Sequence, residues 1–582
     1  MKGLASDPQL IQAAANAQAS AELVALVVDQ GVSHAILSPG SRNTPLALAF
    51  AQNPNVEIKV VLDERSAGFF ALGVSRASGQ PVALVCTSGS ALANYYPAVV
   101  EAYHSEIPLI LLTADRPSEL QNRGAPQTMR QKQFFGSFAK ISVSLDAPQS
   151  GVHFDNQSAL RRTLQAAMQS PKGPVHINCG FRKPLWDSRI EQPTLTRRDP
   201  APSSPVADAQ ADLVDGFMTA LLEAKKGVFI CGPDAFPHNA DASALYDLAG
   251  RLKGPVLAEA SSGARFGHNH PALITHYDAA LRVPDAIPSP DCIVRFGRAC
   301  TSQPLANWIK RSDKANWLVV HDGQTCIDPE RPHDHSFTVA PDRLLNAVES
   351  QILTELCADP SWLELWTEME KACHETIAAF EQEALWEGSV ASMCVRNQSD
   401  RSTIHVANSM PIRDLDGFGG RSESAITVYV NRGLNGIDGT IATALGEQFG
   451  RPDHPLLLLI GDLAFRHDAN SLALCKDRKI TIVVNDNGGG QIFRFLPISE
   501  NKEVFEELFL TPSNIEIESL CQGYGLRCTV VETCRELETA LRREQVELDT
   551  GVVLARIDPE INYNLHQSVW RRVQTELGGH PS

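Results

Sequence analysis

Short apolar runs that stop at Gly, Ser, Thr or Asp and lead into a helix-like segment recur along the whole chain. The first set reads HAILSPGSRNTP, VEIKVVLDERSAGFFALG, PVALVCTSGSALANYY, PLILLTADRP and GPVHINCGFRKPL. A second set reads KGVFICGPD, GPVLAEASSG, CIVRFGRA and NWLVVHDG, and a third ITVYVNRG, PLLLLIGDLA, KITIVVNDNGGG and GVVLARIDPE. Strands buried on both faces are apolar throughout and need a crossover helix before the next parallel strand. This rhythm therefore predicts an α/β protein of doubly wound parallel sheets, with its functional residues where the strands end. At ~100–200 residues per domain, 582 residues call for about three such units. The breaks predict domains at 1–190, 205–355 and 390–582. DSRIEQPTLTRRDPAPSSPVADAQ, rich in Pro, Ser and charge, is the expected linker, and a charged helical stretch from about Leu353 to Trp386 leads out of the second domain.

Composition narrows the partners. A formal net charge of −17 with no Lys/Arg-rich block argues against nucleic acid, so anionic substrates must be met by locally placed arginines. Thirteen cysteines are scattered without a CxxC pair, as expected of small buried hydrophobes in a reducing compartment. The N-terminus lacks a signal-peptide apolar region. No apolar run, Leu456 to Ile460 included, approaches the ~20 residues of a membrane span, and a cytoplasmic location is expected.

The most specific local signal is Gly461-Asp462-Leu463 at one strand end, followed a helix-length later by Asn485-Asp486-Asn487-Gly488 at the next. Two oxygen-rich strand ends in adjacent βα units can hold one Mg²⁺, which prefers an octahedron of hard oxygens shared with phosphate and water. Asp462 and Asp486 offer side-chain oxygens and Gly488 its carbonyl; either half alone would equally suit an Asx-capped turn. The pair resembles the diphosphate-binding signature of thiamine-diphosphate enzymes, with Leu463 in place of a Gly and Asp486 in place of an Asn. In such enzymes a carboxylate against the cofactor's aminopyrimidine is needed, and Glu64 in LDERSAGFF sits at a strand-to-helix junction where a helix N-terminal acid is also favoured by the macrodipole.

Six blocks in order, SPGSRNTPLALAF, LDERSAGFFALG, TSGSALANYYPAVVEA, TADRP, NRGLNGIDG and VVNDNGGGQIFRFLP, resemble one branch of that superfamily. The branch is the 2-succinyl-5-enolpyruvyl-6-hydroxy-3-cyclohexene-1-carboxylate synthases of menaquinone and phylloquinone biosynthesis. The resemblance implies the thiamine-diphosphate-binding fold, with a pyrimidine-binding domain first, a central domain, and a diphosphate-binding domain last. It implies a homodimer or homotetramer with active sites between subunits. The implied cofactors are thiamine diphosphate and Mg²⁺, with Mn²⁺ as the alternative metal. Cofactor contacts fall on Pro39, Gly40, Glu64, Ile437, Asp462 and Leu463, with Glu64 catalytic. Substrate contacts fall on Ser41, Arg42, Arg116, Gln127, Ser409, Arg413, Arg432, Ile492 and Phe493. The implied reaction decarboxylates 2-oxoglutarate and adds the remaining four-carbon unit to isochorismate. Both substrates are dicarboxylates, for which guanidinium groups are the fitting partners. Gln303 and Pro304 stand where the family often has a basic residue. A 2-oxoacid decarboxylase, an acetohydroxyacid synthase or a catalytically silent member of the fold are the other readings of the same residues.

Overall fold

The structure, a computed structural model, describes residues 7–149, 157–191, 193, 211–221, 224–237, 240–323, 329, 332–349, 359–476 and 478–578. Most of the linker expected at 187–210 lies outside these residues, as do the first residues of the helical stretch expected from Leu353 to Trp386, which is helical over Pro360–Phe380 and then turns.

Three six-stranded sheets, all parallel, organise the chain. The first is built from β1 (His34–Leu37), β2 (Glu57–Val60), β3 (Val82–Cys86), β4 (Leu109–Asp115), β5 (Ser142–Leu145) and β6 (Val175–Gly180), in the order β2-β1-β3-β4-β6-β5. The second holds β7 (Gly227–Cys231), β8 (Val256–Ala258), β9 (Leu273–Ile274), β10 (Cys292–Phe296), β11 (Asn316–His321) and β12 (His335–Thr338), in the order β12-β11-β10-β7-β8-β9. The third holds β13 (Ser402–Val406), β14 (Ile426–Tyr429), β15 (Leu456–Gly461), β16 (Ile480–Asp486), β17 (Arg527–Val531) and β18 (Gly551–Arg556), in the order β14-β13-β15-β16-β18-β17. The first and third sheets thus share one strand order, which reverses direction beside β1 and beside β13. The second follows the order of dinucleotide-binding folds. Ligands of open α/β sheets bind at the carboxyl ends of strands near such reversals.

The expected fold class holds, and every strand expected from the apolar runs is present. Among the described residues five further strands occur: β5, β12, β13 and β17 have their apolar pattern broken by polar residues, and β9 is only two residues long. One helix among the described residues, Pro8–Val28, is long and apolar enough by length and composition to cross a membrane. Its most apolar window is 56% buried, however, with Leu23, Val24 and Val27 in the core of the first sheet, and Asn16 donates to the carbonyls of Arg182 and Pro184. That burial marks it as a core helix, in which alanines extend the short apolar run Leu23–Val28 to a membrane-like mean hydropathy.

The chain forms two compact units. One comprises Met1–Pro205 with Asn431–Asp453 and His467–Cys475; the other comprises Val206–Val430, His454–Arg466 and Lys476–Ser582. In the first unit the helices Glu64–Ser78 and Thr440–Gly450 lie backbone to backbone. A Cβ on Gly73 would fall 2.1 Å from the Thr443 carbonyl oxygen, and one on Gly446 would fall 2.1 Å from that of Phe70. The contact is locked by a buried ion pair, Arg76 to Glu447 at 3.1 Å, with Asn431 accepting from the same nitrogen. In the second unit the second and third sheets are joined through Asp416, whose carboxylate meets Arg265 at 3.0 Å and the Tyr277 hydroxyl at 2.7 Å.

Candidate active site

In the first unit the ends of β1, β3 and β4 bring four of the expected substrate residues together. The turn after β1 approaches the turn after β3 so closely that a Cβ on Gly40 would lie 2.3 Å from that of Thr87. Pro39 and Ser41 are exposed there, whereas Arg42 turns inward and donates from Nη1 to the Phe181 carbonyl at 2.8 Å. Arg116, directly after β4, donates to the Ser88 hydroxyl, and Gln127, in the left-handed region at φ 59°, donates to the Ser88 carbonyl at 2.9 Å. Burial lowers the pKa of both Arg42 and Arg116, the charge of Arg116 lowers that of Arg42 further, and Asp115 works against both effects. Two guanidiniums beside one carboxylate leave a local excess of positive charge suited to an anionic ligand.

Sequence reasoning missed the support beneath this shelf. Buried Gln131 accepts from Gly89 N–H at 3.0 Å and donates to Asn178 Oδ1 at 2.8 Å, while Asn178 donates to Asp115 at 2.9 Å. These residues are far apart in sequence and have no periodic or motif signal.

Glu64 is the first residue of its helix and is half-buried. The capping role that a helix-start acid could serve is taken by Asp63, whose Oδ1 accepts from Arg65 N–H at 2.9 Å and Ser66 N–H at 3.2 Å. The Glu64 charge is felt at the end of β3: burial raises the pKa of Tyr95 and Cys86, and Glu64 adds a smaller rise. The same helix start is held by residues 467–471, with Asn470 donating to Asp63 at 3.2 Å and Ser471 bonded to Ser66 at 2.9 Å. Ile437 is half-buried, and its carbonyl accepts from the Thr440 hydroxyl at 3.0 Å. Gly439, at φ 64°, has room for no side chain, since a Cβ would lie 1.9 Å from the ring of Phe69. Arg432 begins the loop whose Gly433 and Leu434 N–H groups are held by buried Glu101 at 2.9 and 2.8 Å.

In the second unit β15 and β16 pair with Gly461 opposite Asn485, so the register sets Asp462 and Asp486 side by side. Burial raises the pKa of both carboxylates, and Arg466 opposes the rise in both. Its Nη1 lies 2.9 Å from Asp462 and its Nη2 3.8 Å from Asp486. Gly488 is exposed at φ 80°. Gly489, at φ 115°, cannot carry a Cβ, which would fall 2.1 Å from the Leu510 carbonyl oxygen. The neighbouring Asn487 Oδ1 and both amide atoms of Asn485 are buried without a protein hydrogen bond. Two carboxylates, a backbone carbonyl and an unsatisfied amide oxygen make a set that fits a hard divalent cation, and the Arg466 guanidinium drawn to the same acids shows that they attract positive charge.

Leu463, after Asp462, is half-buried. Ser409, at φ 75°, opens the helix Met410–Phe418, from which exposed Arg413 reaches back to the Ser409 carbonyl at 2.6 Å. Ile492 and Phe493 lie half-buried on a single helical turn, Phe493 edge-on to Phe509. Gln303 and Pro304 begin the helix Gln303–Arg311, and the Gln303 amide is turned to Asn307 at 3.1 Å. Ser41, Arg42, Arg116, Gln127, Glu64, Arg432 and Ile437 thus belong to the first unit; Ser409, Arg413, Asp462, Leu463, Asp486, Gly488, Ile492 and Phe493 belong to the second.

Residues 18–134 match the N-terminal TPP binding domain of thiamine pyrophosphate enzymes, residues 204–406 the middle domain, and residues 421–555 the C-terminal TPP binding domain. Each match contains most or all of one parallel sheet, and the chain is a thiamine-pyrophosphate enzyme. It is 37% identical over 587 residues to the 2-succinyl-5-enolpyruvyl-6-hydroxy-3-cyclohexene-1-carboxylate synthase of Geobacillus kaustophilus, covering 96% of this chain and 98% of the relative. It is 36% identical over 565 residues to the synthase of the same name from Listeria innocua, covering 95% and 96%. The chain belongs to that synthase family.

Proposed function

We propose that the chain decarboxylates 2-oxoglutarate and joins the remaining succinyl unit to isochorismate by 1,4-addition, giving the product named in its relatives, on the route to menaquinone or phylloquinone. The observation that carries this reading is the Arg42–Arg116 shelf at the strand ends of the first sheet, in a chain of this family. Both substrates are dicarboxylates, and a pair of guanidiniums in a partly dry site discriminates for them.

Bound thiamine diphosphate supplies the nucleophile and the electron sink for the decarboxylation. Glu64 would be the carboxylate that exchanges a proton with the aminopyrimidine. Asp462, Asp486 and the Gly488 carbonyl hold Mg²⁺ or Mn²⁺; Pro39, Gly40, Ile437 and Leu463 line the cofactor. Arg42, Arg116, Arg413 and Arg432 bind substrate carboxylates, Ser41, Gln127 and Ser409 orient polar groups, and Ile492 and Phe493 exclude water. Domains at 1–190, 205–355 and 390–582, and a homodimer or homotetramer with sites between subunits, complete the reading. A cytoplasmic location is supported by the described cysteines, all of them free thiols.

The test is product analysis with thiamine diphosphate, Mg²⁺ and 2-oxoglutarate, with and without isochorismate. The coupled product should form only when both substrates are present. Turnover of pyruvate as fast as 2-oxoglutarate, with isochorismate left untouched, would replace the synthase by a 2-oxoacid decarboxylase.

A further inference from the structure

Arg466 lies one helical turn beyond Asp462, on the same face of the helix Asp462–His467. Its Nη1 is 2.9 Å from Asp462 Oδ2, its Nη2 is 3.8 Å from Asp486 Oδ1, and its Nε donates to the Ile515 carbonyl at 3.2 Å. The guanidinium is mostly buried, at 15% exposure, over an almost fully buried Asp462. Two carboxylates brought together by strand register would repel one another in this partly dry place, and the planar guanidinium reaches both at once.

We infer that Arg466 is a resident counter-cation of the Asp462–Asp486 pair, which a divalent metal must displace, and that an incoming diphosphate favours the exchange by offering the released guanidinium a new anion. The inference rests on the reading of Asp462 and Asp486 as metal ligands. Its physical basis is exclusion. A metal at ~2.1 Å from the carboxylate oxygens competes with the guanidinium for the Asp462 lone pair that accepts its hydrogen bond, and the positive charges repel at both acids. Metal alone therefore binds weakly, metal with diphosphate binds well, and the carboxylate pair keeps a cationic partner in either state. Loading the two ligands together follows from one side chain.

The experiment measures Mn²⁺ binding to the full chain by the electron-paramagnetic-resonance signal of free Mn²⁺, with and without thiamine diphosphate. The proteins are wild type, Arg466→Met, Arg466→Lys and Asp462→Ala. Without thiamine diphosphate, Arg466→Met should bind Mn²⁺ roughly ten- to a hundredfold more tightly than wild type, the span of one charge-assisted hydrogen bond. The gain in Mn²⁺ affinity on adding thiamine diphosphate should be smaller in Arg466→Met than in wild type. Arg466→Lys, which keeps the charge but cannot span both acids, should fall between them, and it decides the matter alone if the Met variant does not fold. Equal or weaker Mn²⁺ binding in the Arg466 variants without thiamine diphosphate overturns the inference while leaving the metal site standing. Wild-type Mn²⁺ affinity in Asp462→Ala overturns the metal-site reading itself.

Discussion

Asn487 donates from Nδ2 to Oε1 of Glu387 at 2.7 Å, both side chains being buried, and the second oxygen of Glu387 accepts from Asn562 at the same distance. The chain of contacts continues through His566. Its Nδ1 lies 2.8 Å from the Asn562 carbonyl and its Nε2 2.9 Å from Asp414. A carbonyl only accepts, so Nδ1 carries a proton. Burial disfavours the imidazolium, but Asp414 and Glu387 outweigh it and hold the His566 pKa above its usual value. Burial, aided by Asp414, raises that of Glu387. The network ties the loop after β16, next to Asp486 and Gly488, to the helix that presents Arg413.

Glu387→Ala should therefore cost about 1–3 kcal/mol of stability for each of the two buried amides, Asn487 and Asn562, that it leaves without an acceptor. It should also weaken thiamine diphosphate binding, although Glu387 lies beneath the loop and is no ligand. Urea unfolding and a fluorescence titration check the two parts, and an unchanged cofactor affinity would leave Glu387 a purely structural residue.

Arg42 and Arg413 should differ when truncated. Arg42 is 7% exposed and bonded to the Phe181 carbonyl, whereas Arg413 is exposed. Each Ala variant should lose roughly one to two orders of magnitude in kcat/KM, the worth of one charge-assisted contact. Only Arg42→Ala should also lower the thermal midpoint, because it removes a buried charge-assisted hydrogen bond. Equal midpoints for the two variants would contradict the placement of Arg42.

Glu64→Gln should leave the fold and most of the cofactor binding intact, since Asp63 caps the helix. Turnover should fall by roughly 10²–10⁴, the usual contribution of a positioned acid–base group. Deuterium exchange at the thiazolium C2 of bound cofactor reads the effect directly, and a wild-type exchange rate would take the role from Glu64.

Asp468 supplies a pH dependence. It accepts from Ala442 N–H at 3.0 Å and the Ser471 hydroxyl at 2.7 Å, yet burial lifts its pKa to about 6 against these bonds and the charge of Arg65. The folded state thus holds this proton more tightly than the unfolded chain. The stability it contributes is full below about pH 4 and is lost as pH rises through about 6. Asp468→Asn cannot titrate, so its thermal midpoint relative to wild type should climb between pH 4 and 7 and then level. A difference that stays flat over that range would refute the assignment.

Strand ends were legible because a buried parallel strand needs an unbroken apolar run and a sharp exit. LLLLIGD and ITIVVND meet both needs: β15 ends at Gly461, with Asp462 opening the next helix, and β16 ends at Asp486. β13, with its sequence STIHV, was hidden: it is buried at every position, but Ser402 and His405 interrupt its apolar pattern. β12 has one buried residue in four and therefore no apolar run to betray it. Glu64 was placed at its helix start correctly, whereas the capping role of Asp63 could be assigned only from backbone geometry.

By itself the sequence determined the parallel-sheet architecture, the strand ends that carry Asp462 and Asp486, and the family, because these depend on local apolar runs and short ordered motifs. Only the tertiary structure decided that Arg42 is buried beneath its shelf, that Asp63 rather than Glu64 caps the helix, that Arg466 spans both aspartates, and that Glu387 supports Asn487 across 100 residues. Those relationships depend on which segments the sheets bring together and on how much water burial removes, and no local pattern of residues encodes either.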